Sequence, residues 1–253
     1  PQNPDIVYLG TGDRDANDSP GMGVMKSTDG GLTWAFSNSG LETLTIGEIL
    51  VHPGEPNILL CGTNDGVFRS TNSGASWDYS SPNTADYRDL KFNTGDPNIV
   101  YATGSGKFYR SEDAGDNWDW ITEGVQSTSR MVIGVTESNP DVVYVCAAST
   151  YEFQKFYRSN DGGQSFEVMS TAPNILGWAA DGSSSGGQAW YDFCMAADPQ
   201  DSMTVYVGGI RMKRSIDGGV TWTDINSGYL HVDQHELAFS PFSQDLYLAN
   251  DGG

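Results

Sequence analysis

The sequence predicts an all-β fold, a β-propeller of four-stranded antiparallel blades, and three observations lead to it. The octapeptide Ser-x-Asp-x-Gly-x-(Thr/Ser/Asn)-Trp is written five times: STDGGLTW at 27–34, STNSGASW at 70–77, SEDAGDNW at 111–118, SNDGGQSF at 159–166 and SIDGGVTW at 215–222. Successive copies begin 41 to 56 residues apart, which is the period of a propeller blade. Each copy also follows a β-rich hairpin, which itself follows one shorter strand. A fourth strand opening at the aromatic residue completes each unit.

In chain order, Pro1-Gln2-Asn3-Pro4-Asp5 aligns with Pro53-Gly54-Glu55-Pro56-Asn57, so a partial first blade, 1–42, is expected to lack its inner strand. Blade 2, 43–83, opens on IGEILVHP and continues in PNILLCGTNDGVFRS. There an Asn-Asp-Gly turn between β-branched and apolar residues gives the hairpin. Blade 3, 84–128, repeats the scheme in YRDLKFNTG and PNIVYATGSGKFYRS, and blade 4, 129–171, in MVIGVTES and PDVVYVCAASTYEFQKFYRS. An insertion, 172–189, precedes blade 5, 190–230, which opens on YDFCMAADP. A partial blade 6, 231–253, carries HELAFSP and then LYLANDGG, which aligns with LLCGTNDG. The expectation is one propeller region over 1–253, about five blades' worth of a ring with seven or more, its remaining blades or further domains belonging to a longer chain. Two stretches exceed the repeat, GTGDRDANDSPGMG at 10–23 and APNILGWAADGSSSGGQAW at 172–190. Long polar insertions on a rigid scaffold are where binding residues concentrate.

Thirteen Lys and Arg against 33 Asp and Glu give a formal net charge of −20. Such a surface repels nucleic acid and anionic membranes, and it disfavours strongly anionic polymers as ligands. Apolar runs are too short to span a bilayer. The opening PQNPDIVYLG has no basic segment and apolar core of a leader, which is compatible with a mature secreted chain. Cys61, Cys146 and Cys194 are odd in number and fall in predicted strands, so they are expected to be buried thiols.

The octapeptide acids invite a catalytic reading, but their chemistry favours a structural one. Asp29, Asn72, Asp113, Asp161 and Asp217 can accept backbone N–H bonds within a turn, the Gly allows φ > 0, and Trp34, Trp77, Trp118, Phe166 and Trp222 are expected to pack into the blade. Asn72 fits this role, since an amide caps a turn and cannot act as an acid. Arg69, Arg110, Arg158 and Arg214, with Lys26, directly precede the octapeptide Ser and belong to the repeat. Arg14, Arg88, Arg130 and Arg211 remain, too few and too scattered for the arginine cluster of a sialidase.

Function is sought where the repeats differ. With Ile49, Leu90, Ile133, Cys194 and Leu237 taken as equivalent, the residues two earlier are Gly47, Arg88, Met131, Asp192 and His235. Those four earlier are Thr45, Asp86, Ser129, Trp190 and Asp233. Starts of inner strands gather at one mouth of a propeller channel, so Arg88, Trp190, Asp192, Asp233 and His235 are expected to converge on a ligand there. Trp178, Trp190 and Tyr191 flank the Gly/Ser-rich insertion and suit stacking on sugar rings. In HVDQHE, 231–236, strand alternation would place His231, Asp233 and His235 on one face, where they can hold zinc. Asp13, Asp15 and Asp18 are a second candidate set, for calcium. Asp86, Asp192 and Asp233 are formal candidates for the paired carboxylates of glycoside hydrolysis, Asp192 and Asp233 foremost.

The five octapeptides resemble the Asp-box (BNR) repeat of sialidases, sortilin-type receptors and xyloglucanases. GTGDRDAND with GVMKSTDGGLTW, GGQAWYDFCMAADP with VYVGGI, and HVDQHELAFSP with LYLANDGG resemble, over essentially the whole chain, secreted sortilin-type or glycosyl-hydrolase-like propellers of type IX-secreting bacteria. The resemblance implies a secreted or cell-surface location. The expected function is non-catalytic binding of a glycan or a surface protein. The alternatives are a polysaccharide hydrolase of the xyloglucanase kind, and a structural adhesin or filament component.

Overall fold

A computed structural model describes residues 2–15, 19–41, 43, 45–226 and 228–252. Among them every regular element is a strand. The chain divides into two compact units, Pro1–Ser105 with Tyr109–Trp120, and Gly106–Phe108 with Ile121–Gly253.

The first unit holds a three-stranded sheet, β1 (Val7–Gly10), β2 (Val24–Ser27) and β3 (Ala35–Phe36). A four-stranded sheet follows, β4 (Ile46–Val51), β5 (Leu59–Thr63), β6 (Gly66–Ser70) and β7 (Asp78–Tyr79). Most of the next sheet also falls here: β8 (Tyr87–Phe92), β9 (Val100–Gly104), β10 (Lys107–Ser111) and β11 (Asp119–Ile121). The second unit continues with β12 (Arg130–Val135), β13 (Val143–Ala148), β14 (Phe153–Ser159) and β15 (Glu167–Ser170). Then come β16 (Cys194–Ala197), β17 (Val205–Gly208), β18 (Met212–Ser215) and β19 (Thr223–Asp224), and a pair, β20 (Gln234–Phe239) with β21 (Leu246–Asn250). Within each sheet neighbours in sequence are neighbours in space. The four-stranded antiparallel units read from the sequence are therefore present.

Burial follows the sequence pattern. β5 (LLCGT), β9 (VYATG) and β13 (VYVCAA) are buried along their whole length, as near-continuous apolar runs must be when both faces of a strand are covered. In the first unit Leu60, Val67, Tyr87, Leu90 and Ala102 form one core cluster. In the second, Val132, Tyr144, Cys146, Phe156, Phe193, Met195 and Val207 belong to another. Cys61, Cys146 and Cys194 are free and buried.

The octapeptide turns share one hydrogen-bond scheme. Ser27 Oγ donates to Asp29 Oδ1 (2.7 Å) and accepts from the N–H of Gly31 (2.8 Å). Asp29 then accepts from the Thr33 N–H (2.8 Å) and Thr33 Oγ1 (2.6 Å). The scheme recurs around Asp113, Asp161 and Asp217. Asn72 keeps it by reversing one bond, its Nδ2 donating to Ser76 Oγ (2.8 Å). The Thr33 side chain, then its N–H and Ser27, hold the Asp29 carboxyl down at about 2.

The aromatic residue does more than pack into its own blade, because it ties that blade to the preceding sheet. Trp77 Nε1 donates to the Ser37 carbonyl (2.7 Å), and Trp222 Nε1 to Ser170 Oγ (3.1 Å) with its ring edge-on to Phe156. Phe166 sits edge-on to Phe108. Trp34, in the first sheet, is 37% exposed and bonds only within its turn, to the Gly31 carbonyl (3.0 Å). Two glycines permit these seams. Gly40 (φ 90) and Gly124 (φ 74) lie so close to the backbone of Trp77 and Phe166 that a Cβ would strike the carbonyl of each. The repeat cations complete them, Lys26 donating to the Ser73 carbonyl (2.8 Å) and Arg69 to that of Ala114 (3.0 Å), each in the next turn.

Candidate functional site

The second unit assembles a site from the segment leading into β16 and the one leading into β20. The Gln188 carbonyl accepts from the N–H groups of Tyr191 (2.7 Å) and Asp192 (3.1 Å), folding 188–192 into a turn. Arg130, at the start of β12, locks that turn: its Nη1 donates to the carbonyls of Ala189 (3.0 Å) and Trp190 (2.9 Å), and its guanidinium lies over the Phe193 ring. On the facing segment Asp233 takes the left-handed conformation (φ 65), and Gln234 N–H donates to the Gly209 carbonyl (2.9 Å) as β20 begins.

Two features result. Trp190 is 43% exposed, and its ring lies 5.4 Å from that of Tyr191. His235 stands edge-on to Tyr191 at 4.7 Å. Asp251 accepts from the Tyr191 hydroxyl (3.2 Å) and lies 2.8 Å from His235 Nε2. The polar ends are thus anchored on one carboxylate, making an aromatic shelf. Behind it is a carboxyl pair. Asp192 is 1% exposed, with the side chains of Asp233 and Gln188 set against its carboxyl. Gln188 Nε2 donates to Asp233 Oδ1 (3.0 Å). Burial first, then the neighbouring Asp233 carboxylate, push the Asp192 carboxyl up to about 8, so it holds its proton at neutral pH.

The structure thus brings Trp190, Tyr191, Asp192, Asp233 and His235 together, but not the other candidates. Arg88 belongs to the first unit, where it pairs with Asp86 (2.5 Å) and Asp15 (3.4 Å). These contacts, rather than a ligand, engage its guanidinium. Trp178 is 55% exposed on the insertion and makes no ring contact with Trp190 or Tyr191. The expected zinc trio is not gathered, because the strand starts only at Gln234 and alternation does not extend back to His231. His231 Nδ1 lies 3.0 Å from the Val232 carbonyl, and His235 faces Asp251. Among the described residues no group of three His, Cys, Asp or Glu side chains is placed to hold a metal. In the candidate calcium loop Asp13 caps the Asp15 N–H (2.8 Å), Asp15 serves Arg14 and Arg88, and Asp18 lies outside the described residues.

Sequence reasoning missed Gln188 and Asp251 and left Arg130 without a role. Arg130 did carry a signal, as one of four arginines outside the repeat. The insertion is also better tied than its Gly and Ser suggest. Lys213, 2% exposed, donates to the Ala180 carbonyl (2.5 Å) and to Asp224 (2.9 Å), which Arg211 also grips (2.6 Å). Asn174 Nδ2 donates to the carbonyls of Ser184 (3.1 Å) and Gly186 (2.9 Å).

No family model and no curated protein matches the chain. Solved structures do. An ancestral GH74 enzyme superposes with a TM-score of 0.73 at 18% identity, over 100% of this chain and 34% of its own. The GH74 xyloglucanase from Xanthomonas campestris superposes at 0.70 and 19%, over 100% of this chain and 43% of its own. The fold is a β-propeller. YCF48 bound to D1 peptide matches this propeller at 0.58 and 17%, over 90% of it and 68% of YCF48. The propeller spans well under half the length of those two GH74 proteins. At these identities the likeness concerns the fold, and function is argued from the site.

Proposed function

We propose that this propeller is a secreted or cell-surface module that binds a glycan on the shelf of Trp190, Tyr191 and His235 and does not cleave it. The observation that carries the reading is the half-open Trp190 face beside a Tyr191 ring fixed through its hydroxyl by Asp251. Rigid aromatic faces stack on sugar rings at little cost in side-chain entropy. The charge of −20 favours a neutral or cationic ligand over an anionic one. The solved propellers of this fold include a xyloglucanase and a protein bound to a peptide, so both ligand classes have precedent. The open indole face favours the glycan. The octapeptide turns support the Asp-box kinship, and with it the extracellular location.

A hydrolase is disfavoured by the carboxyls themselves. Glycosidases hold their two acids across a cleft, roughly 5–10 Å apart, with the scissile bond between them. Asp192 and Asp233 instead meet directly, and Asp192 is sealed from solvent. The test is calorimetric titration with xyloglucan oligosaccharides and a panel of neutral and amino glycans. Trp190→Ala is expected to raise the Kd of the bound glycan by about tenfold or more, the loss of one stacked ring. Reducing ends should not accumulate with wild type. Equal affinity in Trp190→Ala sinks the shelf, and reducing ends lost in Asp192→Asn would establish the hydrolase.

A further inference from the structure

The shelf is carried by two arms, which meet at its base through three side chains. One arm, 188–192, carries Trp190 and Tyr191; the other, 231–235, carries His235. Gln188 sits against both carboxyls of the junction. Its Nε2 donates to Asp233 Oδ1 (3.0 Å), and its side chain also reaches Asp192. Asp192 is buried, and the charged group set against it is Asp233. The cations of the elements packed around them are engaged elsewhere. Arg130 donates to the carbonyls of Ala189 and Trp190 and lies over Phe193. Lys213 and Arg211 hold Asp224. His231 stands beside the Val232 carbonyl and His235 beside Asp251. Two carboxyl groups brought together in a sealed corner do not both ionise, so the pair keeps one proton. The arms are not equally firm. Arg130 locks 188–192, whereas Asp233 sits in a left-handed backbone (φ 65), its N–H reaching the Ile210 carbonyl at 3.3 Å. A non-glycine residue keeps that conformation only while its surroundings hold it there.

We propose that Asp192 is a positioning residue, and that one proton held between its carboxyl and that of Asp233 clasps the two arms and so keeps the shelf formed. Asp192 carries the proton and donates it to Asp233, while the Gln188 amide gives a hydrogen to each carboxyl. When the proton leaves to solvent, a second charge is stranded where water does not reach, and the two carboxylates repel at close range. The arm that yields is 231–235. It draws His235 away from Tyr191 and leaves the shelf with two rings. Burial and the Asp233 charge push the Asp192 carboxyl up to about 8, so the shelf is whole at neutral pH and loosens as the solution turns alkaline. The consequence for a bound sugar rests on the glycan reading; the clasp itself does not.

The experiment first reads the clasp without a ligand. Hydrogen–deuterium exchange over 231–236 is compared between wild type and Asp192→Asn at each pH from 6 to 9.5, so that the intrinsic pH dependence of exchange cancels. The side-chain amide of the variant donates to Asp233 as the protonated acid does, but has no proton to release in this range. The ratio of wild-type to variant rates is expected to rise by about tenfold per pH unit between pH 6 and 8, the slope of one released proton, and to level off above. Glycan titration over the same range should show the wild-type Kd rising about tenfold, while Asp192→Asn keeps one value. If Asp192→Asn fails to fold, Asp233→Asn decides instead: with the like charge removed, the levelling-off should move down by about one pH unit or more. An exchange ratio that does not change between pH 6 and 8 overturns the clasp. So does a wild-type Kd that stays constant while the ratio rises, since a role in stability alone would leave the shelf as it was. Exchange that follows the proton with no glycan bound at any pH supports the clasp and sinks the glycan reading. A bound glycan with exchange indifferent to pH does the reverse.

Discussion

Asp29 and Asp192 are both loop aspartates close to a strand, yet their surroundings differ in every respect that matters to a carboxyl group. Asp29 stands in the open and collects the Ser27 hydroxyl and both donors of Thr33. Its charge is stabilised, and it sits at about 2. Asp192 is sealed, faces a second carboxyl, and sits at about 8 because burial and the Asp233 charge outweigh the hydrogen bonds from Gln188 and its own N–H. The contrast separates two uses of the same residue. Where the sequence repeats, the acid is satisfied locally by residues two positions before it and four positions after it. Where the repeats diverge, it is buried against a second acid and keeps its proton.

The largest effect is expected for a third ionisable group, one that is both sealed and satisfied. Lys213 serves Asp224 and the Ala180 carbonyl at once. Lys213→Ala should cost about 3 kcal/mol, by removing one partner of a buried pair. Chemical denaturation would show it, together with faster proteolysis within 172–190. A loss below about 1 kcal/mol would mean that Arg211 alone holds Asp224.

An intermediate effect concerns pH. The Asp192 carboxyl is raised from 3.8 to about 8 in the folded state, so between those values the native chain binds a proton that the unfolded chain does not. Stability contributed by this group must therefore fall as pH rises through that window. Asp113, Asp161 and Asp217 run the other way. Burial would raise them, but hydrogen bonds from Asn117, Ser159 and Thr221 among others bring each below the ordinary value. Their contribution is lost only as the solution becomes strongly acid. The wild-type Tm should be lower at pH 9 than at pH 5 by on the order of 5 °C. Asp192→Asn should flatten that slope, and an unchanged slope would assign it to another group.

The smallest effect belongs to Asp161→Asn, which should cost under about 0.5 kcal/mol at pH 7, because Asn72 shows the amide making the same turn. Asp161→Ala, which removes the acceptor altogether, should cost about 1–2 kcal/mol. Equal losses in the two variants would mean that the charge, not the bond, matters there.

What was legible in the sequence was what is made locally. The turns close over four residues, and the hairpins over Thr63 and Gly66 or their counterparts, so composition and spacing suffice to read them. Trp190, Asp192 and His235 were found by aligning strand entries and asking where the repeat changes. The partners that give them meaning lie far along the chain. Arg130 reaches the carbonyl of Trp190 across 60 residues, and Tyr191 reaches Asp251 across 60 more. No period announces such contacts. The metal trio failed for a related reason: alternation presumes a strand, and the left-handed Asp233 interrupts it just where the reading needed continuity.

The seams between sheets have a consequence for descent. Each repeat carries its own cation before the Ser, its own aromatic residue to reach backward, and, at Gly40 and Gly124, its own close approach. A repeat copied whole in a gene therefore arrives with both halves of its joint, ready to follow or precede any other. Blade number can change by duplication without a new interface being invented, and divergence then gathers where the copies already differ, at the strand entries and in the insertions at 10–23 and 172–190.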